Sequence, residues 1–279
     1  MQRHQEIERS LIKKFRKTIW NQFIGGIKDY GLIEPGDQIA VCISGGKDSM
    51  LLAKCMQHLE KYSEIPFHTK YLVMDPGYKP ENRQKIIENA ELLQIPIEIF
   101  DSPIFGVVEN AEKGSPCYLC ARMRRGYLYR YAREMGCNKI ALGHHFDDVV
   151  ETILMSMFYG AEYKTMMPKL PSTNFPGMQL IRPLYLVREE SIIAWRNYHG
   201  LEFLQCACRF TEDYQKDPLC VTSKRQETKA LIAQLRRATP NVDKNIFRSI
   251  HNVNLQTVIG YRLHDGDCLH SVIQEVDQS

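Results

Sequence analysis

Long hydrophobic runs are missing from this 279-residue sequence, and none approaches the ~18 residues of a membrane-spanning helix. The opening Met1-Gln2-Arg3-His4-Gln5-Glu6 has no apolar signal-peptide centre, and its early glutamates argue against a transit peptide. A cytoplasmic chain with no membrane partner is therefore expected. No internal repeat and no low-complexity tract appears, which excludes a repeat architecture. Cysteine occurs nine times, an odd number in a chain without an export signal. That argues against a disulfide framework and leaves thiols and metal ligands. Strong charge is lacking too, since the net value is only +3, with 44% hydrophobic and 25% charged residues. The small excess is uneven: residues 1–28 carry seven Lys/Arg against Glu6 and Glu8, and this +5 leaves −2 for the remainder. Such an arm, with Lys13, Lys14, Arg16 and Lys17 at its centre, suits phosphate contact or, equally, a solvated helix face.

The stretch Ile39-Ala40-Val41-Cys42-Ile43-Ser44-Gly45-Gly46-Lys47-Asp48-Ser49 organises what is present. Five apolar residues read as a buried parallel strand. Ser44, Gly45 and Gly46 break it, and Asp48 or Ser49 caps a helix with Leu51, Cys55 and Leu59 at helical spacing. A strand, a glycine turn and a helix N-terminus form an anion site, to which Lys47 adds a point charge. A Walker A loop is excluded: Val41 stands where that motif needs glycine, and Asp48 where it needs Ser or Thr.

Along the chain, residues 5–30 read as one amphipathic helix, with Ile7, Leu11, Phe15 and Ile19 spaced by four. Further strands are expected at 71–74, 97–100, 139–142, near 180–181 and at 201–205. Helices are expected at 81–93, from the Cys117 region to Met135, at 148–158 and at 189–199, and two more within 223–255. Alternating strands and helices imply an α/β fold with a doubly wound parallel sheet. The expected division is a basic arm (1–30), the sheet domain (31–222) and a helical tail (223–279).

In such a sheet ligands bind at the carboxyl ends of strands. The glycine turn, Asp75, Gly143 to Asp148 and Cys206/Cys208 all fall there, and Cys117/Cys120 share the rim. Cys117-Tyr118-Leu119-Cys120 sets two thiols about one helical turn apart, near a helix N-terminus that favours thiolate. With Cys206 and Cys208, four thiolates would make a closed zinc site. Three would hold an iron–sulfur cluster with one open iron. Asp147 and Asp148 suit Mg²⁺ or helix capping, and both roles are compatible. Arg122, Arg124 and Arg125, interleaved downstream with tyrosines, suit RNA or a solvated helix face.

Ser44-Gly45-Gly46-Lys47-Asp48-Ser49 resembles the PP-loop of ATP pyrophosphatases, which grip the β,γ-pyrophosphate and activate substrates by adenylation. Residues 116–126 (PCYLCARMRRG), 141–152 (ALGHHFDDVVET), 157–160, 167–170 and 181–184 look like the tRNA 2-thiocytidine synthetase (TtcA) family. The resemblance implies ATP bound by Ile43 to Ser49, Met74, Asp75, Gly143, His144, Asp147 and Asp148, with Mg²⁺. It implies Lys47 and Asp48 as catalytic groups beside Cys117, Cys120 and Cys206, three ligands of a [4Fe–4S] cluster. It also implies thiolation of anticodon-loop cytidine 32, a homodimer, and a sulfur donor such as a cysteine desulfurase or sulfide. One departure stands out: the family commonly carries CxxC late in the chain, whereas here it is Cys206-Ala207-Cys208. Cys206 is expected to be the ligand, since it follows the strand end at Gln205, with Cys208 as substitute. Two rival readings are an adenylating enzyme with a Cys₄ zinc, including 2-thiouridine synthetases, and a non-catalytic nucleotide-gated RNA-binding or redox-sensing protein.

Overall fold

The computed structural model describes residues 2–102, 104, 116–204, 224–263 and 266–269, with backbone alone for 116–122 and 262–269. Six strands form the main sheet: β1 Gln38–Ile43, β2 His68–Asp75, β3 Ile97–Asp101, β4 Lys139–Ala141, β5 Lys169–Pro171 and β6 Gln179–Ile181. Their order is β3-β2-β1-β4-β6-β5, parallel throughout except for β5, which runs antiparallel to β6 at the edge. β1 lies at the centre, and five of its six residues are buried, as a strand covered on both faces requires. The chain leaves β1 toward β2 on one side, and β4 lies on the other. A crevice therefore opens at the carboxyl ends of β1 and β4.

The expected doubly wound sheet is what forms, with two local differences. Residues Leu201–Leu204 are not a strand, and Gln205 lies outside the described residues. Instead the Leu204 N–H donates to the Gly45 carbonyl (3.1 Å), tying this segment to the glycine turn rather than to a ladder. Strand β5 (Lys169–Pro171) arises where no strand was expected.

The N-terminal arm is not one α-helix. It runs as α1 (Arg3–Ile12), a π-helical turn (Arg16–Trp20) and α2 (Asn21–Asp29). The spacing of four explains this. Four residues advance about 400° in an α-helix, so the apolar stripe drifts about 40° at each step. Yet Ile7, Leu11, Phe15, Ile19, Phe23 and Ile27 are all buried in the main core. Bonds spanning five residues, Phe15 N–H to Ser10 O (2.9 Å) and Trp20 N–H to Phe15 O (3.2 Å), widen the turn and rotate the stripe back.

Helices α3 (Lys47–Tyr62), α4 (Pro80–Leu93), α5 (Pro116–Glu134), α6 (Phe146–Gly160) and α7 (Glu189–Tyr198) complete the wound layers. Gly136, at φ +77°, stops α5 after Glu134. The tail gives α8 (Lys224–Ala238) and α9 (Val242–Ser249), then an unforeseen hairpin of β7 (Gly260–Leu263) and β8 (Gly266–Leu269). Ile232 of α8 and Phe247 of α9 pack with Phe146, Val149, Val150 and Ile153 of α6, so the tail docks on the sheet domain. Among the described residues no helix is long and apolar enough to cross a membrane.

One charge is sunk in this frame. Lys139 of β4 has 1% of its side chain exposed and bonds Asp37 (2.6 Å), Glu34 (3.0 Å) and the Leu32 carbonyl (3.1 Å). Lys139→Met would leave the equally buried Asp37 without its counter-charge. It is expected to cost about 3 kcal/mol, read as a lower urea midpoint, and an unchanged midpoint would show that the neighbours of Asp37 compensate.

Candidate active site

The turn after β1 is built before any ligand arrives. Gly45 adopts φ +85°, a conformation costly for any residue with a side chain. A Cβ there would sit 2.7 Å from Ile86 Cγ1 and 3.0 Å from Leu204 Cδ1. The Ser49 hydroxyl closes the loop, accepting from the Ser44 N–H (3.1 Å) and donating to the Gly46 carbonyl (3.0 Å). Gly143, after β4, permits a close approach of chain to chain: a Cβ would lie 3.1 Å from Asp48 C and Ser49 N. It thus lets the β4 loop press onto the first turn of α3.

A cavity of about 410 Å³ opens at the β1/β4 crevice. Of the residues expected at the nucleotide, Ile43, Ser44, Asp48, Ser49, Met74, Gly143, His144 and Asp148 line it. Arg124 and Arg125, expected at RNA, line the same space, with Tyr78 and Leu128 added. Asp75 stands behind the wall. Its Oδ1 accepts from the N–H groups of Gly77 (2.8 Å) and Tyr78 (2.6 Å), and Oδ2 meets Arg83 Nε (3.2 Å). Gly45, Gly46 and Lys47 form the turn but do not line the cavity. Asp147 also lies off it: Oδ2 caps α7 through the Glu189 N–H (2.8 Å), and Oδ1 meets Arg236 (2.6 Å) and Arg188 (3.4 Å). Asp148 takes the capping role foreseen for it. It forms a reciprocal cap with His145 (3.0 and 3.4 Å) while facing the cavity.

The electrostatics are those of an acidic rim crossed by cations. Lys47 Nζ contacts Asp48 Oδ2 (3.1 Å) and Glu189 Oε1 (3.0 Å). Burial works against the Lys47 ammonium, yet these two carboxylates hold its pKa above the usual lysine value. Burial also resists ionisation of Glu189, but Lys47, His145 and Lys229 outweigh it and bring the carboxyl down to about 2. For Asp48 burial wins and pushes the pKa up, against His145 and Lys47. Its Oδ1 is buried and makes no hydrogen bond, with His145 Nε2 at 3.8 Å. A buried oxygen left so costs about 1–3 kcal/mol, which a cation ligand would relieve. Among the described residues no three His, Cys, Asp or Glu converge on one metal position. Mg²⁺ commonly needs only one or two carboxylates beside substrate phosphates.

Glu189, Arg225 and Lys229 had no sequence signal, and Arg182 lay within the family-like stretch 181–184 with no role given to it. Glu189 reads as an ordinary first-turn acid, and the cations of α8 read as a solvated face. Instead Arg225 meets Asp148 (3.1 Å), and Lys229 meets Glu189 (3.1 Å) and Glu151 (3.5 Å). The cysteine sites are only partly in view. Cys117 and Cys120 occupy the first turn of α5, one turn before the cavity-lining Arg124, but their side chains, that of Arg122, and Cys206 and Cys208 entirely, lie outside the described residues. Cys42, Cys55 and Cys137 are free and buried, as small core residues. Lys13, Lys14, Arg16 and Lys17 are exposed, and Lys14 Nζ sits over the Tyr198 ring (4.1 Å). Tyr129 is buried and Tyr131 stacks on Phe100 (3.9 Å), so these rings serve packing.

Residues 10–219 match the PP-loop domain family. A tRNA-cytidine(32) 2-sulfurtransferase of Vibrio parahaemolyticus is 36% identical over 91% of this chain and 82% of its own length. That of Photobacterium profundum is 38% identical over 88% and 77%, and that of Alcanivorax borkumensis 33% over 96% and 92%. This chain belongs to the tRNA-cytidine(32) 2-sulfurtransferase family of PP-loop proteins. The fold has a solved counterpart in a U34-tRNA thiolase, NcsA, from Methanococcus maripaludis with its [4Fe-4S] cluster. The TM-score is 0.63 at 20% identity, covering 86% of this chain and 80% of that one.

His144 gives the family site a pH signature. Burial, with the Arg182 guanidinium, pushes its pKa from 6.5 down to about 4. Between those values the unfolded chain binds the extra proton, so stability falls as pH drops through that window and is flat above it. His144→Gln should remove this part of the slope, narrowing the gap between urea midpoints at about pH 7 and about pH 5. A gap as wide as that of the parent protein would assign the acid sensitivity to other groups.

Proposed function

We propose that this protein is an ATP-dependent tRNA thiotransferase that replaces the C2 oxygen of cytidine 32 in the anticodon loop with sulfur. One observation carries the reading. Ser44 and Ser49 on either side of the Gly45–Gly46 turn, Asp48, Asp148, Arg124 and Arg125 line a single cavity, in a family whose members are named for this reaction. The turn amides and the α3 N-terminus receive the β,γ-pyrophosphate. Lys47 neutralises charge as pyrophosphate departs. Asp48 and Asp148 take Mg²⁺, directly or through water. The C2 oxygen attacks the α-phosphorus, giving an adenylated pyrimidine and pyrophosphate. Sulfide, supplied as such or released from a cysteine desulfurase persulfide by a thiol that is oxidised to a disulfide, then attacks C2, the C2–O bond breaks, and AMP leaves with the oxygen.

Cys117, Cys120 and Cys206 would hold a [4Fe–4S] cluster, which when bound supplies an iron with an open position for sulfur. Two placements support that donor set. The backbone of the CxxC opens the helix whose next turn lines the cavity. The Leu204–Gly45 hydrogen bond brings the chain to the glycine turn two residues before Cys206. Exposed Lys13, Lys14, Arg16 and Lys17 take tRNA phosphates. We place the enzyme in the cytoplasm, as a homodimer.

The test is mass spectrometry of tRNA nucleosides from a deletion strain, which should lack 2-thiocytidine. Lys47→Ala should lower ATP-dependent pyrophosphate release by about a hundredfold or more while the visible absorption of the anaerobically purified protein persists. Retained pyrophosphate release would remove Lys47 from the chemistry.

The third thiolate is tested by comparing Cys206→Ala with Cys208→Ala for iron content and thiolation. The first should lose both properties and the second keep most of them. Equal collapse would point to four thiolates, and the reverse order to Cys208 as the ligand.

A further inference from the structure

Lys47 cannot serve pyrophosphate while it is held where the geometry puts it. Its Nζ lies 3.0 Å from Glu189 Oε1 and 3.1 Å from Asp48 Oδ2. Glu189 opens α7, fixed there by the Asp147 cap on its N–H (2.8 Å). Its second oxygen, Oε2, lies 3.1 Å from Lys229 Nζ of α8. The same carboxylate therefore bridges the PP-loop lysine and a lysine of the tail helix. His145 Nε2 stands 4.0 Å from Oε1, and Lys229 is shared with Glu151 Oε1 at 3.5 Å.

We infer that Glu189 is a positioning residue that exchanges partners: it holds Lys47 in the absence of polyphosphate and passes to Lys229 when Lys47 turns to the nucleotide. This rests on the reading of Lys47 as the pyrophosphate-binding lysine. The electrostatics require some such exchange. A polyphosphate arriving at Lys47 meets the Glu189 carboxylate within about one hydrogen-bond length of the same ammonium, and like charges that close repel. The repulsion is relieved when Glu189 turns toward a cation already in contact, which costs little because Lys229 needs no new approach. A ligand shifts a two-state arrangement only by its differential affinity for the two states. Any group that holds Lys47 back therefore weakens nucleotide binding, and any group that draws Glu189 away strengthens it.

Two substitutions that each break the same Glu189–Lys229 pair are thus expected to act in opposite directions. Glu189→Gln releases Lys47 and should tighten Mg·ATP binding about three- to fivefold, the scale of a partly exposed ion pair. Lys229→Met leaves Glu189 with Lys47 and the more distant His145 and should weaken Mg·ATP binding by a similar factor. In Glu189→Gln/Lys229→Met the second change should weaken binding less than it does alone, since Glu189 is gone and only the loss of one rim cation remains.

The measurement is titration calorimetry with the non-hydrolysable analogue AMPCPP and Mg²⁺ on the full-length protein. Circular dichroism and the urea midpoint report on folding in each variant. Opposite shifts in the single variants, and a Lys229→Met effect that is smaller in the Glu189→Gln background than alone, support the exchange. Shifts of one sign, no shift in either, or additive shifts in the double variant overturn it, while leaving nucleotide binding itself intact. Absence of saturable binding in the parent protein overturns both the exchange and the PP-loop reading beneath it.

Discussion

A side chain at Gly45 has nowhere to go, and much of the site depends on that. The residue turns the chain from β1 into α3 at φ +85°, with Ile86 of α4 and Leu204 packed against the space where a Cβ would stand. Because the turn is this tight, its amide groups and the first turn of α3 lie at the mouth of the β1/β4 crevice. Because Leu204 closes over it, the segment that leads to Cys206 is tied to the loop as well. Gly143 repeats the constraint from the opposite side, where a Cβ would meet the backbone of Asp48 and Ser49. Two glycines thus bring β1, β4, α3 and the late segment within touching distance. Hydrophobic burial alone cannot do this, since it is not directional.

What was legible in the sequence follows from where the information lies. The parallel sheet is encoded locally: short apolar runs, glycine stops and helical spacing between them. Rules of connection then carry Gly143 and Asp148 to the rim shared with Ser44, although about a hundred residues separate them. Eight residues expected around the nucleotide do line the cavity. Glu189 and the cations of α8 were not legible, because an acid at a helix start and a basic helix face each have an ordinary local explanation. Only their meeting in space gives them another. The late strand failed for a related reason. Leu201 to Leu204 have strand-like composition, but Leu204 bonds the Gly45 carbonyl, a partner in a loop rather than in a ladder.

The N-terminal arm shows the converse, a pattern that was visible but under-read. Six apolar residues spaced by four promise one helix, yet strict spacing by four cannot hold one face of a straight α-helix. Reading the drift, and not only the periodicity, would have placed a break near the middle. The π-helical turn at Arg16–Trp20 is where the accumulated rotation is returned. It also leaves Arg16 and Lys17 exposed on an irregular surface rather than within a regular helical row.

Charge compensation decides whether the tail stands apart from the β1/β4 crevice. Asp48, Asp147, Asp148, Glu151 and Glu189 gather at one rim, while outside α8 the Lys and Arg side chains seen in ion pairs with them, among the described residues, are Lys47 and Arg188. By itself that rim would repel a polyphosphate. Arg225, Lys229 and Arg236 of α8 supply the missing positive charge, contacting Asp148, Glu189, Glu151 and Asp147. Ile232, buried against α6, holds the helix in register for all of them. Removing α8 would therefore do more than expose a hydrophobic face. It would turn the rim from nearly neutral to acidic beside the loop proposed to receive an anion, so the tail helix is as much a part of that rim as the glycine turn.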